Sequence, residues 1–203
     1  IANFTYLPGN MNITEILCTD TGPGNTMMDA FIQQHFKGKH FDKDSVIALK
    51  GNINNELLFA LKDNAFFKQA LPKTTGPELF NLDYLQQAKE KSLTTMLSVE
   101  DTMATLNKFS ADTIIDALLK TISKDVSIKI YASGGGMHNP LLMQHIKAAL
   151  PNCEFLTTAD LDIEPDAKEA VLFAVLANEC ICGDGSYLQK GNLSIPAISM
   201  GKI

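Results

Sequence analysis

The hexapeptide Asp20-Thr-Gly-Pro-Gly-Asn25 separates two different periodicities in this 203-residue chain. Ahead of it, residues 1–8 and 11–19 are rich in β-branched and aromatic side chains, with Pro8-Gly9-Asn10 between them, so they read as two strands of a hairpin. Behind it, Met27, Met28, Phe31 and Ile32 recur at helical spacing to about Phe36. The hexapeptide is therefore a strand-to-helix turn. An acid at the end of the strand can face a cleft there, although by itself an Asp before Thr-Gly is more often a turn-former or helix cap. Asp29, one helical turn beyond Asn25, faces either the same cleft or solvent.

Further along, an amphipathic segment spans Ile53 to Leu61, and Leu71-Pro-Lys-Thr-Thr-Gly-Pro77 is too punctuated to be regular. Helices are expected over Leu82–Lys91 and Val99–Ser123, the second opened by Ser98 with Asp101 three residues on. The apolar residues Met103, Leu106, Ile114, Ile115, Leu118, Leu119 and Ile122 form a one-sided stripe along the latter. Residues 126–132 read as a buried strand, Asn139-Pro140 as the start of a helix, Cys153–Leu156 as a strand and Pro165–Cys182 as a helix. Strands followed by alternating helix, strand and helix predict an α/β fold with a mixed sheet flanked by helices.

The second chemistry-bearing segment is Ser133-Gly-Gly-Gly-Met-His-Asn-Pro140. It follows a strand and opens a helix, so bare backbone can approach a ligand closely and present amides near a helix N-terminus, an arrangement suited to a nucleotide. The competing reading is a tight turn that needs positive φ. A dinucleotide-binding loop fits less well, because the Gly-x-Gly-x-x-Gly spacing is missing, and no Gly-Lys-Ser/Thr phosphate loop occurs. Lys73, Thr74 and Thr75 offer a cation and two hydroxyls in what is locally an exposed turn. Glu169, near the start of the last helix, is either a favourable helix-dipole residue or a cleft-lining group.

A net charge of −6 and a sequence pI near 5.2 argue against a nucleic-acid partner, whose phosphates need clustered Lys and Arg. No apolar run is long enough to cross a bilayer and no secretory leader is recognisable, so no membrane association and a cytoplasmic location are expected. Cys18, Cys153, Cys180 and Cys182 lack the density and pairing of a disulfide scaffold or zinc site, and His35, His40, His138 and His145 form no ligand pattern, so no protein-bound metal is expected. The chain opens on Ile1 in what reads as mid-strand, which predicts a fragment of a longer protein.

Taken in order, these segments resemble the second half of the anhydro-N-acetylmuramic acid kinases, within the acetate kinase, hexokinase and actin superfamily. The matching stretches are Ile1-Ala-Asn-Phe-Thr5, Asp20-Thr-Gly-Pro-Gly-Asn25, Pro72-Lys-Thr-Thr-Gly76 with Glu78-Leu-Phe-Asn81, Glu100-Asp-Thr-Met-Ala-Thr-Leu106, Gly134-Gly-Gly-Met-His-Asn-Pro140, and Asp166-Ala-Lys-Glu-Ala170 with Phe173-Ala174. They span nearly the whole chain, and the first loop together with its distance to the glycine run is the specific part. The resemblance implies a ribonuclease-H-like, actin-like ATPase lobe over residues 1–203, with a mainly helical insertion at about 40–123, as the second lobe of a two-lobed kinase whose N-terminal lobe is absent from this chain. It implies ATP-dependent, hydrolytic opening of 1,6-anhydro-N-acetylmuramic acid with phosphorylation of O6, giving N-acetylmuramic acid 6-phosphate in peptidoglycan recycling.

The same resemblance assigns Asp20 as catalytic base, with Glu169 and Asp29 at the sugar, and Thr21, Gly22, Gly24, Asn25, Gly134, Gly135, Gly136 and Asn139 at the nucleotide. Magnesium would be carried by ATP, and the expected partners are the amino sugar, ATP, the N-terminal lobe on the same or a second chain, and a second copy in a homodimer. Pro77 departs from the pattern, standing where the family usually has an arginine. Two other readings are a non-catalytic, orphan half acting as a nucleotide-binding or interaction module, and a different sugar or acyl-phosphate kinase of the superfamily.

Overall fold

The computed structural model of the chain describes residues 1–10, 12–122 and 128–183. Its first strand, β1 (Ala2–Tyr6), pairs antiparallel with β2 (Leu17–Gly22), with a register shift between Ala2 and Asn3. The hairpin reading holds, but β2 starts later and ends later than its β-branched residues predict. Side-chain hydrogen bonding competes with the strand here. Asn12 Oδ1 accepts from Thr14 N, Asn10 Oδ1 accepts from Asn12 N, and Ile13–Glu15 close into a 3-10 turn. At the other end Asp20 lies inside the strand, opposite Asn3.

Helix α1 (Thr26–His35) follows and buries Met27, Met28, Phe31 and Ile32, the residues whose spacing predicts it. Then come α2 (Asn55–Lys62), a single turn α3 (Ala65–Lys68), α4 (Leu82–Lys91) and the long α5 (Val99–Thr121). Asn54, Asn64, Asn81 and Ser98 each accept a backbone N–H at the start of one of these helices, a contact worth about 1 kcal/mol apiece. The last part alternates β3 (Ile128–Ala132), α6 (Pro140–Ala149), β4 (Cys153–Thr157) and α7 (Lys168–Cys182), with β3 and β4 parallel. The expected starts of the strands at residues 11 and 126, and the expected end of α5 at 123, lie outside the described residues.

Helix α5 is the spine. Met103, Leu106 and Phe109 join a cluster with α1, α2 and α4, whereas Ala111, Ile115 and Leu118 pack with Leu142, Ile146 and Leu150 around α6. In the first cluster Phe66, Phe67, Phe80, Tyr84 and Phe109 meet with centroids 5.3–6.5 Å apart, mostly edge to face. In the second, Phe4 of β1 and Ile130 of β3 both pack against the same cluster of helical residues. Hydrogen bonding yields an antiparallel pair and a parallel pair instead of one mixed sheet, so the architecture is mixed α/β with small sheets among the described residues. Helix α7 buries none of its residues, and Leu172, Phe173 and Val175 are exposed. Among the described residues no helix is long and apolar enough to cross a membrane.

Candidate functional site

The turn after β2 is braced from behind. Thr21 is buried and its hydroxyl donates to Ala2 O at 3.2 Å, closing the hairpin instead of facing outward. Gly22 lies so close to Thr113 of α5 that a Cβ would collide with that side chain. Gly24 has φ +56°, a Cβ there would meet the Ala2 backbone, and its carbonyl accepts from the buried Ser110 hydroxyl at 2.6 Å. Glycines at these positions let β2 and the turn lie directly on β1 and α5.

Asp20 is half-buried. Its Oδ2 accepts from Thr74 Oγ1 at 2.9 Å and from Thr75 N at 2.8 Å, while its own N–H donates to Lys73 O. Thr19 locks the same loop, because its hydroxyl donates to Lys73 O and accepts from Lys73 N. One carboxylate oxygen is thus anchored by two donors, and Oδ1 is left without a partner among the described residues. A carboxylate held this way has a fixed orientation and one oxygen free to take a proton. Thr74 and Thr75 therefore orient the Asp20 carboxylate, which their place in an irregular loop does not reveal. The Lys73 ammonium is not directed to the acid: it donates to Phe66 O at 2.9 Å and sits 4.0 Å from the Phe66 ring centroid.

The glycine loop occupies the end of β3. Gly134 has φ +74° with open space where a Cβ would be, and residues 135–138 form a 3-10 turn that leads into α6. Gly134, Gly135, Pro165, Asp166, Lys168 and Glu169 line a depression of about 260 Å³. His138 Nε2 lies 3.1 Å from Asp166 Oδ1, tying the loop to the turn ahead of α7. Glu169 is exposed and neighbours the glycine loop.

Asn25 connects the two loops. It precedes α1 without capping it, and its Nδ2 instead donates to Gly135 O at 3.2 Å, across 110 residues of sequence. Its Oδ1 is buried without a hydrogen-bond partner among the described residues. Asn139 sits differently from a ligand contact: it is 8 % exposed, it caps α6, and its Oδ1 accepts three hydrogen bonds from within the protein. Asp29 is partly buried on α1, where burial pushes its carboxyl up to about 6. The structure thus brings together Asp20, Gly22, Gly24, Asn25, Gly134 and Gly135 through one bridge, with Glu169 on the glycine-loop side. Among the described residues no group of three or more His, Cys, Asp or Glu side chains is gathered as for a metal ion.

The family model described as anhydro-N-acetylmuramic acid kinase matches residues 1–202. Curated proteins of that name are similar over the full chain: 50% identity in Pseudoalteromonas atlantica strain T6c, 48% in Pseudoalteromonas translucida strain TAC 125, and 36% in Caldanaerobacter subterraneus subsp. tengcongensis. In each case all of this chain aligns with 51–52% of the relative, so the chain spans about half the length of the curated relatives it matches.

Proposed function

This chain belongs to the anhydro-N-acetylmuramic acid kinase family, and from that premise we propose that it is the nucleotide-binding, base-bearing half of an enzyme that opens 1,6-anhydro-N-acetylmuramic acid with water and phosphorylates O6 with ATP. The observation that supports the reading best is the Asn25–Gly135 hydrogen bond, which joins the acid-bearing turn to the glycine loop, as two walls of one site require.

In this reading the adenosine lies against Gly134–Gly136 and the terminal phosphate lies toward Gly22–Asn25, while Glu169 and Asp29 line the sugar site. Asp20 acts as general base. Its free Oδ1 takes a proton from the water that attacks the anomeric carbon, the C1–O6 bond breaks, and O6 accepts the γ-phosphoryl group as ADP leaves. Positive charge develops at the anomeric carbon as that bond stretches, so a fixed carboxylate both orients the water and offsets the charge. Thr74 and Thr75 keep Oδ2 occupied, so that only Oδ1 meets the proton. Magnesium would arrive on the triphosphate, whose oxygens it prefers, and would neutralise their charge.

The finer fold reading is a ribonuclease-H-like mixed sheet in which the two strand pairs are joined by a strand outside this chain. Its support is that Phe4 and Ile130 pack on one helical layer. The N-terminal half is proposed as the occupant of α7's exposed apolar face, supported by relatives about twice as long as this chain. A cytoplasmic, homodimeric enzyme in peptidoglycan recycling completes the proposal.

The test is Asp20→Asn in the complete protein. Turnover of the anhydro sugar is expected to fall by at least about 10²-fold, with ATP affinity and melting temperature unchanged. Turnover at the parent rate would remove Asp20 as the base.

A further inference from the structure

Three donors converge on a single buried atom behind the glycine loop. Asn139 Oδ1 accepts from Ser45 Oγ at 2.7 Å, from Asn107 Nδ2 at 2.9 Å and from Leu142 N at 3.0 Å. That convergence fixes the amide orientation, since the NH2 end has no lone pair for three donors. Ser45 and Asn107 are both 0 % exposed. The Asn139 NH2 group reaches Met28 Sδ at 4.0 Å, a weak acceptor. Its acceptor oxygen therefore makes the strong contacts.

Ser45 is brought to this point by an unusual turn. Asp44 and Ser45 both have φ 56°, a left-handed conformation that residues other than glycine seldom adopt. The turn is held by Asp42, whose carboxylate accepts from Ile47 N and Ala48 N, each at 2.9 Å. Ser45 Oγ also accepts from Leu141 N at 3.3 Å, so one hydroxyl engages both the cap and the first turn of α6. Asn139 in turn donates its backbone N–H to Gly136 O at 3.2 Å. The chain of contacts runs from the turn at 42–48 and the middle of α5 to the glycine backbone.

We propose that Ser45 and Asn107 are positioning residues for nucleotide binding: by saturating Asn139 Oδ1 they fix the start of α6 and, through Asn139 N, the Gly134–Gly136 backbone. Neither touches the ligand. The inference rests on the proposed nucleotide role of the glycine loop, and it separates the acceptor function of Asn139 from a direct amide contact to ATP.

The test is calorimetric titration of the complete protein with a non-hydrolysable ATP analogue and magnesium, beside the KM for the anhydro sugar. Ser45→Gly deletes the hydroxyl at a backbone position glycine adopts freely, which protects folding; Asn107→Leu deletes the second donor. Each is expected to weaken analogue binding about five-fold or more, the effect of losing one buried hydrogen bond, with the sugar KM unchanged. Asn139→Asp retains the acceptor, and its charge suits a helix N-terminus, so it should recover most of the affinity that Asn139→Leu loses. Parent affinity in both Ser45→Gly and Asn107→Leu would overturn the proposal, as would Asn139→Asp binding no better than Asn139→Leu. Gly135→Val is the control for the underlying reading: unchanged affinity there would sink the nucleotide role of the loop itself.

Discussion

A carboxyl group pushed up to about 6 has a predictable effect on stability, and Asp29 is such a group. Its cause is burial, which disfavours the charged form. The favourable contribution of the protonated side chain is fully present below the unfolded value near 3.8 and is lost as pH rises through about 6. Asp29→Asn, which removes the ionisation, should therefore stabilise the protein at pH 7.5 by about 1 kcal/mol, a figure discounted because the side chain is only half-buried. The gain should shrink toward pH 4. Denaturant melts at the two pH values check it, and a gain that is constant or reversed would contradict the burial argument. The strand-to-helix junction at Asp20 was legible from the change in periodicity, whereas the role of its carboxylate was only an implication of the family resemblance. Asn139 was legible as an N-cap, but its burial was not: Ser45 and Asn107 lie 94 and 32 residues away, beyond any local pattern. Thr74 and Thr75 escaped for the same reason, meeting Asp20 across 54 and 55 residues.

Helices were the most legible elements, since an apolar period marks α1, the Ser98 cap and an apolar stripe mark α5, and Asn139-Pro140 marks the start of α6. α3 was missed because four residues are too few to show a period. The one-sided stripe expected on α5 is also incomplete: Thr102, Thr105, Asn107, Ser110 and Thr113 are buried as well, because the helix is enclosed by two clusters and by the turn after β2. Two of its hydroxyls serve neighbouring backbone, Thr105 accepting from Asn54 N and Ser110 donating to Gly24 O. The close fit around α5 yields an element-scale prediction at Gly51, whose added Cβ would overlap the Glu100 carbonyl and the Asp101 nitrogen at the start of that helix. Backbone cannot step aside as a side chain does. Gly51→Ala should cost about 1–3 kcal/mol in denaturant unfolding and leave the midpoint well below the parent's. An unchanged midpoint would mean that α5 is not seated against residue 51.

At the scale of the whole molecule, α5 carries the acid-bearing turn near its middle and α6 along its later half, so two loops 110 residues apart in sequence come within one hydrogen bond. Fold class and the β1–β2 hairpin were readable from the order of elements, but the relation of that hairpin to the later strands was not, because it depends on which edges meet and not on local pattern. Among the described residues two pairs are formed where one mixed sheet was expected. The motifs themselves were readable from sequence, but the bridge from Asn25 to Gly135 that relates them was not. That shared crevice is the central claim, and a crystal structure of the complete protein with a non-hydrolysable ATP analogue tests it most directly. The account predicts adenosine along Gly134–Gly136, the terminal phosphate at Gly22–Asn25, and Asp20 Oδ1 open to the space beyond that phosphate. A nucleotide bound elsewhere, or Asp20 and the glycine loop opening onto different faces of the protein, would contradict it.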